Sequence, residues 1–205
     1  MKPRKTKDSG IPWIGQIPEG WEVRRIKTIF RVIGGATPSS GNPEYWDGDV
    51  LWVTPADMPD GEMFLRTSKR KITKEGLASC ASEVVPVDSV IVSNRAPIGK
   101  IALAGTPLCT NQGCKSLVVK EAMSGKYFYY FLCTQAGTLN MLGQGTTFME
   151  LSNQSLSTFV VPRPNIAEQT RIAEYLDVRC GQIDRVIAAK ERQNELLKAQ
   201  RTAII

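Results

Sequence analysis

Histidine does not occur anywhere in the 205 residues. Its absence excludes Ser-His-Asp and Cys-His catalysis and every metal site built on imidazole. Cysteine is sparse and unpatterned: Cys80, Cys109, Cys114, Cys133 and Cys180 form no C-x-x-C pair, and five thiols cannot all pair internally. They read as reduced thiols. No stretch approaches the roughly 20 apolar residues that a bilayer demands, and the chain opens on a basic, Pro-containing tail without an apolar signal core. A soluble cytoplasmic protein without a membrane partner is expected.

Catalytic loops are missing too. Asn42-Pro43-Glu44-Tyr45 is faintly similar to the Asn-Pro-Pro-aromatic loop of amino-methyltransferases, but Glu44 replaces the second proline and no strand with a Gly-rich turn precedes it. Pro59-Asp60 with Glu62 lacks the Glu-x-Lys step that metal-assisted nucleases need. Gly143-Gln144-Gly145-Thr146-Thr147 has no P-loop lysine. Neither a metal nor a cofactor site is expected in this chain, and no catalysis of its own.

What is present is a hydrophobic content of 42% and a charged content of 22%, enough for one good core plus an appended element. The net charge of +6 favours a polyanionic partner, because each Lys or Arg placed on a phosphate releases a condensed counterion. Residues 1–16 are expected to be a basic arm, and the Gly- and Pro-rich composition up to Gly20 predicts no regular structure there. The spacing of Ile26, Ile29, Phe30 and Ile33 predicts a short helix, Gly34 to Gly41 a loop, and Val50 to Val53 a strand. Further strands are predicted within Val84 to Ser93, Ile98 to Ala104, Ser116 to Val119 and Phe159 to Val161. A helix is predicted over Gly125 to Leu142. The fold class is α+β: one mixed globular domain over residues 17–164, then a long coiled-coil-forming helix over 165–205.

That helix is announced by Pro162 and Pro164, after which proline disappears and only Gly181 interrupts good helix formers. Asn165 with Glu168 has the spacing of a capping box. Leu176, Ile183, Lys190, Leu197 and Ile204 recur every seven residues, beside a row of Ala173, Cys180, Ile187, Asn194 and Arg201, and such a repeat is a coiled-coil seam. Lys190 and Asn194 in its middle set register at some expense of stability. At 1.5 Å per residue the element reaches roughly 60 Å, more than the domain's own core needs.

Groups suited to reading nucleic acid cluster on predicted loops. Arg66, Lys69, Arg70, Lys71 and Lys74 fall within nine residues that contain no acid, and are candidates for phosphate contacts. Asn94 and Arg95 at a strand end, Asn111 and Gln112, and Gln144 and Thr146 offer the amide, guanidinium and hydroxyl groups that pair with base edges.

In order, these segments resemble one half of the specificity subunit of type I restriction-modification systems. The resemblance runs from Ile17-Pro18-Glu19-Gly20-Trp21 through Gly35-Ala36-Thr37-Pro38-Ser39, Tyr45-Trp46 and Leu51-Trp52-Val53-Thr54-Pro55-Ala56-Asp57-Met58. It continues in Arg95-Ala96-Pro97-Ile98-Gly99 and Thr110-Asn111-Gln112-Gly113. Its most specific part is the ending, where Phe159-Val160-Val161-Pro162 leads through Ala167-Glu168-Gln169, Arg171-Ile172-Ala173 and Leu176-Asp177 to Ile183-Asp184 and Leu196-Leu197. The resemblance implies that the globular part, a target-recognition domain, reads one half of a bipartite double-stranded DNA site. It implies that the helix pairs with a counterpart and docks methyltransferase subunits, which would bind S-adenosylmethionine; restriction would need a further subunit. Family members generally carry two recognition domains and two helical spacers, whereas this sequence has one of each. A half-length subunit that pairs with its own copy, or a piece of a longer chain, would both account for that. Two copies about a two-fold axis imply a palindromic site with an unspecified centre. Motifs shared among members that read different sequences, Arg95 to Gly99 included, are also suited to maintaining the fold. A scaffold or decoy that binds methyltransferase subunits without reading DNA is the alternative.

Overall fold

The computed structural model describes residues 4–58, 61–120, 122–145 and 149–204. In chain order the first half comprises β1 (Thr6–Asp8), β2 (Gln16–Pro18), β3 (Glu22–Arg25), α1 (Ile26–Ile29), β4 (Phe30–Gly34), β5 (Trp46–Val53), β6 (Phe64–Leu65), β7 (Arg70–Ile72) and α2 (Lys74–Ala78). Then follow β8 (Val90–Ser93), β9 (Ile101–Ala104), β10 (Cys109–Thr110), β11 (Cys114–Val119), α3 (Gly125–Thr134), α4 (Ala136–Met141), α5 (Asn153–Thr158), β12 (Val160–Arg163) and α6 (Ile166–Ile204). The architecture is α+β, a mixed domain with a long C-terminal helix. Among the described residues no helix is long and apolar enough to cross a membrane.

The centre is a five-stranded sheet in the order β4-β11-β8-β9-β6, in which only the β6–β9 pair is parallel. Its strands β8 and β9 read Val-Ile-Val-Ser and Ile-Ala-Leu-Ala and are buried throughout, as expected of strands covered on both faces. Side chains alternate along a strand. Val90, Val92, Ile101 and Leu103 therefore join a core with Phe128, Leu132, Leu139 and Leu156 from the helices. Ile91, Ala102 and Ala104 face the other way, onto Val53, Val85 and Leu108. Beyond that second core lies a three-stranded sheet, β10-β5-β7, backed by Trp46, Trp52, Ile72 and Cys109. Burial pushes the Cys109 thiol up to about 11 and Cys114 to about 12, so both stay neutral.

Several local expectations are corrected. The N-terminal stretch contains an antiparallel hairpin, β1 with β2, and Trp13 at its tip stacks on Phe159 at 5.0 Å; an aromatic contact, invisible to turn composition, orders it. The helix predicted through Ile33 stops at Ile29, because Phe30 to Gly34 pairs with Val119 to Lys115 and the ladder outweighs helical spacing. The helix over 125–142 is broken at Gln135 into α3 and α4. Asn165 does cap α6, its Oδ1 accepting from the Glu168 N–H at 2.9 Å. The Glu168 carboxylate, however, turns to Arg4 and to the Trp21 indole N–H instead of closing the box.

Candidate nucleic-acid interface

Two indoles organise the site from beneath. Trp46 and Trp52 of β5 meet edge to face at 5.2 Å, and each sends its N–H out of the core. Trp52 donates to the Ala36 carbonyl at 2.9 Å and Trp46 to the Ser39 carbonyl at 3.1 Å. The Gly35–Gly41 loop is thus held at two points with Thr37, Ser39 and Ser40 exposed. Gly35 has to be glycine, since a Cβ there would lie 2.0 Å from the Asn111 carbonyl oxygen. The neighbouring Ala36 N–H donates to Thr110 at 3.0 Å.

From this loop a chain of hydrogen bonds crosses the domain surface. The Thr37 hydroxyl donates to Gln112 Oε1 at 2.5 Å. Asn111 spends its own amide oxygen on the Gly113 N–H, 2.9 Å away, which shapes the 110–113 turn. The Gly113 carbonyl accepts from the Asn94 N–H at 2.9 Å, and the Asn94 carbonyl accepts from Leu151 at 2.8 Å. Glu150 then gathers the far end, accepting Asn94 Nδ2 at 3.0 Å on one oxygen and Arg95 Nε at 3.1 Å on the other. Gln144 exchanges two backbone hydrogen bonds with Glu150, at 3.0 and 2.9 Å. At the opposite end Asp57 closes the Thr54–Asp57 turn and accepts the Lys69 N–H at 2.8 Å, bringing the start of β7 to the same surface.

The structure therefore joins most of the predicted base-contact residues in one strip. Arg95, Gln112 and Gln144 are exposed on it, Asn111 is half-buried, and Thr146 lies outside the described residues. Asn94 is fully buried, with its Nδ2 committed to Glu150, so in this conformation it supports Arg95 and does not face a ligand. The basic run does not act as one surface. Lys69 and Arg70 adjoin the strip, but Lys71 follows Arg70 on a strand and points to the other side. Lys74 is carried away by α2, and Arg66 sits over the Phe64 ring at the far edge of the central sheet. Asn42 to Tyr45 form a single 3-10 turn in which the Asn42 side chain caps the Glu44 N–H, a structural use of that motif. Among the described residues no group of three or more Cys, Asp or Glu is placed to hold a metal ion.

The family model of the type I restriction modification DNA specificity domain matches residues 18–199. The chain belongs to this family. It is 37% identical over 188 residues to the type I restriction enzyme MjaIX specificity subunit of Methanocaldococcus jannaschii, covering 90% of this chain and 43% of that protein. It is 29% identical over 163 residues to the EcoR124I/EcoR124II specificity subunit of Escherichia coli, covering 76% of this chain and 40% of that protein. The chain thus spans less than half the length of these relatives. The crystal structure of the HsdS subunit from Thermoanaerobacter tengcongensis shares the fold, with a TM-score of 0.65 at 23% identity over 92% of this chain and 42% of that one. A further structure, from a study of complex assembly in the type I R-M system, gives 0.67 at 24% identity over 90% of this chain and 43% of that one.

In this specificity domain α6 is a second candidate surface. Its first turns belong to the domain: Glu168, Gln169 and Ala173 are buried, and Asp177 accepts from Lys126 and Tyr130 of α3 at 2.7 and 2.8 Å. Leu176 of the predicted seam is half-buried against its own domain, in a groove with Trp13, Trp21 and Phe131. The seam is free from Ile183 onward, where Ile183, Ile187, Lys190, Asn194 and Leu197 are all exposed; the Ile204 side chain lies outside the described residues. Sequence reasoning missed Glu150, Thr37 and Trp46. The signal for Trp46 was its place in the Tyr45-Trp46 motif, whereas nothing local marks Glu150 as the partner of a residue 55 positions away.

Proposed function

We propose that this specificity domain reads one half of a bipartite double-stranded DNA site in the cytoplasm, and that α6 joins it to a second recognition unit and to methyltransferase subunits. The observation that carries this reading is the strip itself. Separate loops converge to expose a guanidinium, two amides and several hydroxyls, the groups that hydrogen-bond base edges, with cations at one end for the flanking phosphates. The chain's share of the work is then recognition, while the partner subunit binds S-adenosylmethionine and carries out methyl transfer. A restriction subunit would join the same assembly.

Self-association of two copies through the free part of α6 fits the exposed apolar side chains of Ile183, Val186, Ile187, Leu196 and Leu197. The test is long-read methylation mapping of DNA from cells expressing the chain with its methyltransferase subunit and from cells expressing that subunit alone. A split palindromic motif that requires the chain supports recognition by paired halves. A stable complex that adds no motif overturns it in favour of a scaffold.

A further inference from the structure

Most arginines of the domain with a side-chain partner are matched to carboxylates: Arg4 with Glu168, Arg24 and Arg163 with Glu22, Arg31 with Glu83, Arg95 with Glu150. Arg70 is held differently. Its guanidinium carbon lies 3.5 Å from the centre of the Trp46 ring, against 5.0 Å for Arg66 over Phe64. A guanidinium laid on an aromatic face keeps its full charge, and its N–H donors stay in the plane of the fork, directed away from the ring. A carboxylate partner would instead have offset that charge and engaged part of the fork. The same indole donates its N–H to Ser39 at 3.1 Å, so one side chain fixes a cation on β7 and the edge of the exposed 35–41 loop. That loop is coupled in turn to Gln112 through Thr37.

We propose that Trp46 is a positioning residue for DNA binding: it aims the Arg70 fork at a backbone phosphate beside the bases read by the strip and sets the distance between that phosphate contact and the reading loop. The inference rests on the DNA-recognition reading. The ligand is a phosphodiester of duplex DNA of any sequence, because Arg70 stands at the end of the strip and two in-plane N–H groups match two phosphate oxygens.

The test uses the full chain and a 30-base-pair duplex of arbitrary sequence, with the dissociation constant measured across a salt series. Arg70→Ala weakens binding about tenfold and flattens the slope of log affinity against log salt by about 0.9, the loss of one phosphate contact. Trp46→Leu, which leaves Arg70 in place, produces the same flattening, and the double variant is no worse than either single one. Arg70→Lys keeps the charge but not the fork and recovers only part of the affinity, while Arg66→Ala changes neither quantity. Trp46→Phe preserves a ring face and loses the Ser39 hydrogen bond; it keeps the salt slope and loses discrimination between cognate and arbitrary duplex. Full recovery by Arg70→Lys, or a folded Trp46→Leu protein with an unchanged slope, overturns the proposal. If Trp46→Leu fails to fold, Arg70→Lys and Trp46→Phe decide it. Failure of the unaltered chain to bind duplex DNA sinks the underlying reading as well, whereas salt-dependent binding indifferent to Trp46 and Arg70 sinks this inference alone.

Discussion

Glu150 serves two neighbours in different ways, and the difference can be measured. Its bond from Asn94 is part-buried, on the side of a fully buried amide, and its bond from Arg95 is exposed. A hydrogen bond to a charged group stabilises by about 1.5–3 kcal/mol, whereas an exposed ion pair contributes roughly 0–1 kcal/mol. Asn94→Ala should therefore lower unfolding stability by about 2 kcal/mol in urea, and Arg95→Ala by less than about 1 kcal/mol. On the recognition reading the order reverses for DNA: Arg95→Ala loses about tenfold in discrimination against a mismatched site, of the size expected for one lost bidentate base contact. Equal stability losses, or unchanged discrimination, would refute this division of labour. Glu168 carries the clearest pH signature. The Arg4 guanidinium, helped by the Trp21 indole N–H, holds its carboxyl below the usual range. A depressed folded value means stability that is fully present above the ordinary glutamate range near pH 4.5 and is lost as pH falls through the lower folded value. Urea midpoints between pH 3 and 7 should thus fall less steeply at the acid end for Glu168→Gln than for the unaltered chain, and parallel curves would count against the pairing.

At the scale of elements, loops and helix ends matter more than the sheet. Gly35 lets the 35–41 loop lie on the 110–113 turn, so Gly35→Ala must push backbone against backbone; we expect a loss of more than about 2 kcal/mol by thermal unfolding, with no rescue from any other side chain. The α6 element divides at Gly181, beyond which every described side chain is exposed. A chain ending at Ala188 should keep the domain's melting temperature within a few degrees and, on the proposed self-association, sediment as a monomer where the full chain sediments as a dimer. A large loss of thermal stability would mean that the distal helix packs on its own domain after all. Much of this was legible in advance. Short apolar strand runs, the proline stop before α6, its heptads and the loop-borne polar groups are all carried by local sequence. What was not legible is non-local: the Trp13–Phe159 stack that orders the hairpin, the β4–β11 ladder that ends α1, and the Asn94–Glu150 bond that buries a predicted contact residue. The placement of the basic run was not legible either, since strand alternation and the start of α2 scatter charges that are contiguous in sequence.

For the whole molecule, the proposed pairing of two copies makes a prediction about how they lie along α6. Between Glu174 and Arg185 the helix carries three acids, Glu174, Asp177 and Asp184, against the bases Arg179 and Arg185. Between Lys190 and Arg201 it carries four bases, Lys190, Arg192, Lys198 and Arg201, against the acids Glu191 and Glu195. The near half is thus −1 (2 − 3) and the far half +2 (4 − 2). A parallel pair stacks the two positive halves on each other, while an antiparallel pair sets each positive half on a negative one, and such interactions between exposed helix charges, though only tenths of a kcal/mol each, decide orientation when the apolar seam is short. Antiparallel pairing also places the two recognition domains at opposite ends of a rod roughly 60 Å long, the separation that the proposed bipartite site calls for and that a parallel pair, with both domains at one end, does not supply. In the antiparallel register centred on the free seam, Ile183 faces Leu197 of the second copy and Lys190 faces its own counterpart. A photoreactive side chain at position 183 should therefore cross-link to the segment around Leu197, and one at position 190 to the segment around Lys190, as read by mass spectrometry of the dimer band. Cross-links from 183 to 183 would establish the parallel arrangement and remove the geometric basis for two half-sites held apart by the length of the helix. Raising the salt concentration should weaken the orientation preference while leaving the apolar contact in place, because only the charge term is screened.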